Sequence, residues 1–203
     1  QEMLEMEDDK RVRPLQVDPR IPVHTSVDLG IADDSVWCFW QRYGNMHRLV
    51  DGITVNGIGL EQHVQLLRDW AHKNKAFFGT MYAPHDAAQR ELGGRGLSRM
   101  DQARNLGLIW KHTPQTRLKT QIAVASQLFR MTEVNSDSEG AMHILEAWKA
   151  YRWTTNKSTG QRLETPVHDW ASHATSSAMT YAINMAKELG VRMDYTDEIL
   201  SGG

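Results

Sequence analysis

The sequence contains little cysteine and no strong charge of one sign. A single cysteine among 203 residues rules out a disulfide within the chain and a zinc finger built on several cysteines. Cys38 lies in an apolar run and is predicted to be a buried structural thiol in a reducing compartment. The 23 basic and 25 acidic residues give a net charge of -2, so no overall basic field indicates nucleic-acid binding.

Long hydrophobic runs and nucleotide-binding signatures are also missing. No run approaches the ~20 apolar residues of a membrane span, and no secretory leader pattern is present. The sequence has no Gly-x-x-x-x-Gly-Lys-Ser/Thr, which excludes a P-loop ATPase within these residues. At 40% hydrophobic content, the chain is sufficient for one domain with a substantial core.

The first 22 residues differ in pattern from the rest. They mix charges with three prolines and show no periodicity, which predicts a linker or arm over residues 1–22. The folded domain is expected over residues 23–203, with a flexible tail at its end. Because the chain begins with Gln1 rather than Met, we expect a partner domain upstream.

Hydrophobic periodicity predicts an α/β fold in which a meander of strands comes first and helices dominate later. Alternating or apolar runs predict strands over residues 23–28, 34–43, 46–55, 76–83 and 108–110. Apolar residues at helical spacing predict helices over residues 60–73, 98–105, 119–131, 138–151 and 170–189. The Gly44-Asn45 pair predicts a hairpin turn, and Ser98 with Asp101 predicts a capping box.

Three acids stand at the ends of these elements. Asp28 closes the first strand, Asp86 follows the fourth, and Asp169 opens the last helix. If folding brings them together, their oxygens suit Mg²⁺ or Mn²⁺ rather than zinc. Each acid also has a simpler explanation: Asp28 as a turn cap, Asp86 as part of an Asx turn, and Asp169 as a helix N-cap.

The order of elements is typical of a ribonuclease-H-like mixed central sheet flanked by helices. The motifs Val27-Asp-Leu-Gly-Ile-Ala-Asp-Asp-Ser-Val-Trp, Ala83-Pro-His-Asp-Ala and Pro166-Val-His-Asp-Trp-Ala-Ser-His, in that order, resemble those of a known family. That family is the nuclease domain of the large terminase subunit of tailed bacteriophages. The resemblance runs from about residue 23 to about residue 187.

The resemblance implies a metal-dependent endonuclease that cleaves concatemeric double-stranded viral DNA with little sequence preference during genome packaging. Two Mg²⁺ or Mn²⁺ ions about 3.5–4 Å apart would activate a water and stabilise the leaving 3′ oxygen. The expected metal ligands are Asp28, Asp86 and Asp169, with Asp33 or Asp34 contributing to a second ion or supporting the first. His173 is expected to contact the scissile phosphate or assist proton transfer.

The same resemblance implies partners and a location. Besides double-stranded DNA, the expected partners are an N-terminal packaging ATPase domain of the same polypeptide, the portal protein and the small terminase subunit. The expected location is the host cytoplasm, at the procapsid portal, with no membrane. Basic residues near Asp86 and after the fifth strand are candidate DNA-backbone contacts: Arg90, Arg95, Arg99, Lys111, Arg117 and Lys119.

One position departs from the family pattern. The family commonly has an Asp three residues after the motif's His, and this chain has Ser176 there. A serine is a poor metal ligand, and Asp169 is a candidate to compensate, since Asp169, His173 and Ser176 share one helical face.

Two alternatives stay open at this stage. A catalytically weak or silent ribonuclease-H-like module that docks on the packaging motor fits Ser176 and the acidic net charge. The doublets His85-Asp86 and His168-Asp169 also occur in metal phosphohydrolases, but that chemistry is usually built on a helical bundle, and the predicted strands argue against it.

Overall fold

The protein folds around one large mixed sheet with helices on both faces. The computed structural model describes residues 2–30, 33–90, 96–156, 158–159 and 161–193. Its strands are β1 (Val12–Arg13), β2 (Val23–Asp28), β3 (Asp34–Tyr43), β4 (Met46–Asn56), β5 (Phe78–Ala83), β6 (Trp110–His112), β7 (Thr132–Asn135), β8 (Trp153–Thr155) and β9 (Arg162–Pro166). Its helices are α1 (Glu2–Asp8), α2 (Leu60–Asn74), α3 (Arg99–Asn105), α4 (Leu118–Arg130), α5 (Glu139–Ala150) and α6 (Trp170–Met185).

The sheet topology confirms the predicted mixed central sheet. Seven strands lie in the order β1-β7-β4-β3-β2-β5-β6, while β8 and β9 form a separate antiparallel pair. The meander β2-β3-β4 is antiparallel, as predicted, and turns at Gly44, whose positive φ suits the hairpin. The later strands β5 and β7 add in parallel to β2 and β4.

Strand β3 divides the core into two layers. Its side chains alternate, so Cys38 and Trp40 pack with α4, α5 and α6, whereas Trp37 and Phe39 pack with α2 and α3. Because both faces are covered, the strand is apolar throughout rather than alternating. Burial raises the pKa of the Cys38 thiol to about 12, which fits the predicted structural role.

The first 22 residues contain regular structure that the sequence did not predict. Helix α1 buries Met6 completely in the same core layer as α4, α5 and α6. Strand β1 then pairs in parallel with β7, with Val12 opposite Val134. The absence of periodicity was misleading here, because a seven-residue helix and a two-residue strand are too short to show a period.

Burial at the helix termini differs in one place from the expected pattern. Helical spacing places Trp170 on the apolar face of the last helix, but its side chain is 42% exposed. It occupies the first position of α6 and contacts His143 of α5, with ring centroids 5.5 Å apart. No described helix is long and apolar enough to cross a membrane.

Buried His47 makes the stability of the fold depend on pH. The ring is 3% exposed, shares a hydrogen bond of 2.9 Å with the Tyr181 hydroxyl, and has its pKa lowered by burial from 6.5 to about 4. Between these values the unfolded chain binds more protons than the folded one, so stability falls as the pH is lowered. We expect His47 to account for a loss of up to about 3 kcal/mol between pH 7 and pH 4.

Urea unfolding at both pH values measures this loss. In His47→Gln the dependence on pH should be correspondingly smaller, whereas His72→Gln, a change at an exposed position of α2, should leave it as in the parent chain. If the free energy of unfolding changes equally with pH in the parent and in His47→Gln, His47 is not the titrating group.

Candidate active site

Asp28 and Asp86 follow neighbouring parallel strands. Strand β2 ends at Asp28, and β5 ends at Ala83, three residues before Asp86. The strands run in the same direction with Ser26 opposite Tyr82, so their carboxyl ends open at the same edge of the sheet. A 3₁₀ turn over His85–Ala88 then holds Asp86 beside that edge. Such an edge is where open α/β sheets usually place ligands.

The two carboxylates line one cavity of about 510 Å³. Ser176 of α6 lines it as well, and an adjoining cavity of about 130 Å³ again contains Asp28, Asp86 and Ser176. Asp86 is exposed, while the side chain of Asp28 is 24% exposed. Both carboxylates are therefore accessible to a ligand from solvent.

Helix α6 is fixed on β2 and β3 by contacts at every fourth residue. Tyr181 stacks on Trp40 with ring centroids 4.5 Å apart, and the Ser177 hydroxyl donates to the carbonyl oxygen of Ser26 at 3.0 Å. One turn earlier, His173 reaches Asp28. Residues 26 and 28 share one face of the strand, and residues 173, 177 and 181 share one face of the helix. These two faces pack against each other. The packing of α6 thus positions both His173 and Ser176 at the cavity.

His173 and Asp28 are joined by a hydrogen bond at the cavity. Nδ1 of His173 lies 3.0 Å from Oδ2 of Asp28, and the His side chain is only 9% exposed. The hydrogen bond to Asp28 raises the pKa of His173 against the opposing effect of burial, and the charges of Asp33 and Asp34 add to the rise. His173 can therefore store a proton beside Asp28 and release it when a cation approaches.

Asp169 does not line either of these two cavities. One of its carboxylate oxygens accepts from the backbone N–H of Ala171 at 3.1 Å, and the other pairs with Arg152 at 2.9 Å. The N-cap interpretation of Asp169 is thus confirmed. Its predicted role as a metal ligand remains a prediction, and the structure does not bring it together with Asp28 and Asp86.

Of the two neighbouring acids Asp33 and Asp34, it is Asp33 that lines the cavity. The carboxylate of Asp34 accepts instead from the Asn56 side chain at 3.1 Å, across the β3-β4 pair. His168 also lines the cavity, although sequence reasoning assigned it no role beyond its doublet with Asp169. The sequence did offer one indication that His168 could reach the site: it stands one residue before the helix cap and five residues before His173.

Two of the predicted DNA contacts lie at the cavity or beside a residue that lines it. Arg99 lines the cavity, and its guanidinium donates to the carbonyl oxygen of Leu29 at 3.0 Å. Arg117 is the N-cap of α4, next to Leu118, which lines the cavity too. Arg95 falls outside the described residues. The remaining candidates are exposed: Arg90, Lys111 and Lys119.

A second cavity, of about 740 Å³, is lined by Asp51, Asp137 and Glu139, and the partly buried carboxylate of Asp51 serves structural hydrogen bonds. Asp51 accepts from the indole N–H of Trp70 at 2.6 Å and from the backbone N–H of Gly52 at 2.8 Å. The Ser138 hydroxyl donates to it as well. Because Asp51 already accepts three structural hydrogen bonds, the cavity beside Asp28 and Asp86, which follow neighbouring parallel strands, is the better candidate for chemistry.

Comparison with solved structures identifies the fold, although no protein-family model and no curated protein sequence matches the chain. The large terminase of a thermophilic bacteriophage superposes with a TM-score of 0.65 at 15% identity, over 90% of this chain and 45% of that one. The nuclease domain of the bacteriophage SPP1 large terminase, crystallised with bound Mn, gives 0.54 at 10% identity, over 82% and 86% of the two chains. The chain has the fold of a large-terminase nuclease domain.

A third match agrees with this terminase nuclease fold. The large terminase nuclease of the thermophilic phage G20c, crystallised with bound cobalt, gives a TM-score of 0.55 at 14% identity, over 85% of this chain and 93% of that one. The present chain spans less than half the length of the large terminase in the first match. The ribonuclease-H-like terminase nuclease fold predicted from the sequence is confirmed.

Proposed function

We propose that the chain is a metal-dependent endonuclease that cleaves double-stranded DNA during viral genome packaging. The observation that carries the proposal is the cavity shared by Asp28 and Asp86, which follow neighbouring parallel strands of a terminase nuclease fold. Two carboxylates that converge in this way repel each other unless a cation lies between them. Their location at an open edge leaves room for a phosphodiester.

The donors fit a hard divalent ion. Asp28 and Asp86 would hold it, and Ser176 would add a neutral oxygen. Mn and cobalt in the SPP1 and G20c nucleases support a divalent ion here, and we propose two ions, Mg²⁺ or Mn²⁺. Such ions, when bound, activate a water and stabilise the leaving 3′ oxygen. We leave Asp169 out of the ligand set because it already caps α6 and pairs with Arg152.

The surrounding chain would orient DNA through its backbone. Arg99 at the cavity and Arg117 at the head of α4 are suitably placed for phosphate contacts, which carry no sequence information and imply low sequence specificity. We further propose that an N-terminal ATPase domain, the portal protein and the small terminase subunit supply the remaining affinity for DNA. The place of action would be the procapsid portal in the host cytoplasm.

Nicking and linearisation of supercoiled plasmid test the proposal. We expect cutting in Mn²⁺ and Mg²⁺, none in EDTA, and none by Asp86→Asn, because the variant loses one of the two charges at the cavity. Asp69→Asn, an exposed α2 carboxylate hydrogen-bonded by Gln65, is the matched control and should cut like the parent. Activity that survives in Asp86→Asn would place the chemistry elsewhere.

A docking module of the packaging motor is the second candidate, and Ser176 favours it because the family's usual carboxylate is missing there. Calorimetric titration with Mn²⁺ separates the two functions. A docking module has no need of an ion, so a folded chain that neither binds Mn²⁺ nor cuts plasmid would favour docking. Binding that depends on Asp86 would favour the nuclease.

A further inference from the structure

Three potential metal donors other than the carboxylate pair meet at the cavity. Asp33, His168 and His173 each offer one ligand atom, and these atoms lie within 4.8 Å of one another. Asp33 comes from the connection between β2 and β3, while the two histidines stand on either side of the first turn of α6. All three residues line the 510 Å³ cavity. Segments remote in sequence therefore converge on one point.

The hydrogen bonds of His168 fix its tautomer. The Ser172 hydroxyl donates its one proton to the carbonyl oxygen of Asp169 at 2.7 Å, so towards Nδ1 of His168, at 3.1 Å, it acts as the acceptor. The neutral ring therefore carries its proton on Nδ1 and a lone pair on Nε2. That Nε2 lies 3.7 Å from a carboxylate oxygen of Asp33. Two acceptors that face each other repel unless a proton or a metal cation lies between them.

His173 is prepared in the same way. A carboxylate only accepts, so Nδ1 of His173 donates to Asp28 and the neutral ring keeps its lone pair on Nε2. A carboxylate that holds the far nitrogen of an imidazole is the usual support for a histidine that binds metal, since it fixes the ring and increases its basicity. Asp28 thereby connects this group of donors to the carboxylate pair.

We propose that Asp33, His168 and His173 bind a divalent transition ion, of the class of Mn²⁺, Co²⁺ or Zn²⁺, beside the pair Asp28–Asp86. Imidazole nitrogen suits these ions, whereas Mg²⁺ prefers oxygen and retains its water. With bonds of about 2.1 Å, neighbouring ligand atoms stand roughly 3–3.5 Å apart, so the donors must close by about an ångström. The side chains of Asp33 and His168 are 60% and 74% exposed, which leaves space for this adjustment. The site does not require that the chain cut DNA.

This site also bears on the departure at Ser176. A hydroxyl in place of a carboxylate removes one negative charge from the cavity, which weakens the hold on a hard ion most. Two imidazoles add donors without adding charge, and transition ions bind them more tightly than Mg²⁺ does. The composition of this cavity thus shifts the preferred ion from Mg²⁺ towards the transition series.

Titration of the metal-free chain with Co²⁺ tests the site, with visible absorption for affinity and paramagnetic NMR for the number of bound imidazoles. We expect shifted exchangeable N–H signals from two histidines in the parent chain and from one in His168→Ala. His168→Ala and Asp33→Asn should each weaken Co²⁺ binding by about tenfold or more. Excess Mg²⁺ should not displace the bound ion.

His72→Ala, an exposed histidine of α2, is the matched control and should bind Co²⁺ like the parent. Asp86→Asn should keep the two imidazole signals even if it cuts no DNA, so this result stays separate from the nuclease proposal. The proposal is overturned if the folded parent binds no Co²⁺, or if His168→Ala and Asp33→Asn, folded by circular dichroism, bind it with unchanged affinity and both imidazole signals.

Discussion

Replacing Asp28 with Asn should lower metal-dependent plasmid cleavage by about a thousandfold or more. Asp28 has the central position of the site, since it closes β2, shares both cavities with Asp86 and accepts the hydrogen bond of His173. A metal-stabilised transition state is favoured by several kcal/mol, and each 1.36 kcal/mol corresponds to a factor of about ten in rate. The loss of one anionic ligand removes much of that stabilisation.

Asn is chosen because its side-chain oxygen can still accept from His173, so the contact between β2 and α6 is retained. The thermal midpoint without metal should therefore change little, and a fall in rate will report on chemistry. The rate is measured as initial nicking in Mn²⁺ beside the Asp69→Asn control. If Asp28→Asn keeps more than a tenth of the parent rate while remaining folded, the cavity is not where the DNA is cut.

Introducing a carboxylate at Ser176 should have the opposite effect. Ser176 lines both cavities with Asp28 and Asp86, and its helix is fixed on the sheet by Ser177 and Tyr181 on either side of the next turn. A third charge at this position completes an all-oxygen site for a hard ion. We expect Ser176→Asp to cut plasmid in Mg²⁺ at least about tenfold faster, a gain equal to about 1.4 kcal/mol.

The same substitution should leave a signature in stability. Without metal, three carboxylates repel one another, so Ser176→Asp should melt at a lower temperature than the parent. Added Mg²⁺ binds the folded state alone and should raise the midpoint more than in the parent. Ser176→Asn matches the new side chain in size without its charge. Identical metal responses in the Asp and Asn variants would show that residue 176 does not face the ion.

The sequence predicted the parts of the fold that carry a clear period. The alternation in β2, the long runs of β3 and β4 and the helical spacing in α2 were long enough to be recognised, and the caps at Ser98 and Asp169 follow local chemistry. It did not predict α1, β1 or β7, which are formed because the assembled core and sheet accept them rather than through local preference. Short segments of this kind are decided by tertiary contacts.

The sequence predicted that Asp28 and Asp86 come together, and they line one cavity, but it did not predict the arrangement around α6. Whether Asp33 or Asp34 faces the cavity depends on how the chain turns between β2 and β3, since neighbouring residues point in different directions. The ion pair between Asp169 and Arg152 could not be predicted either. Arg152 lies 17 positions earlier and approaches only when the chain before α6 folds back. The tautomer of His168 also could not be predicted, because it follows from the two hydrogen bonds of the Ser172 hydroxyl, which only the structure shows.

The cavity is lined by separate segments of the chain, which has a consequence for biosynthesis. Its lining side chains come from β2, from the turn after β5 and from α6, so the wall is complete only when residue 176 has left the ribosome and its helix has settled on Ser26. A nascent chain, or one truncated before α6, lacks that wall even if the first strands have already paired. The cavity is thus a property of the assembled fold, and no fragment that ends before α6 can form it.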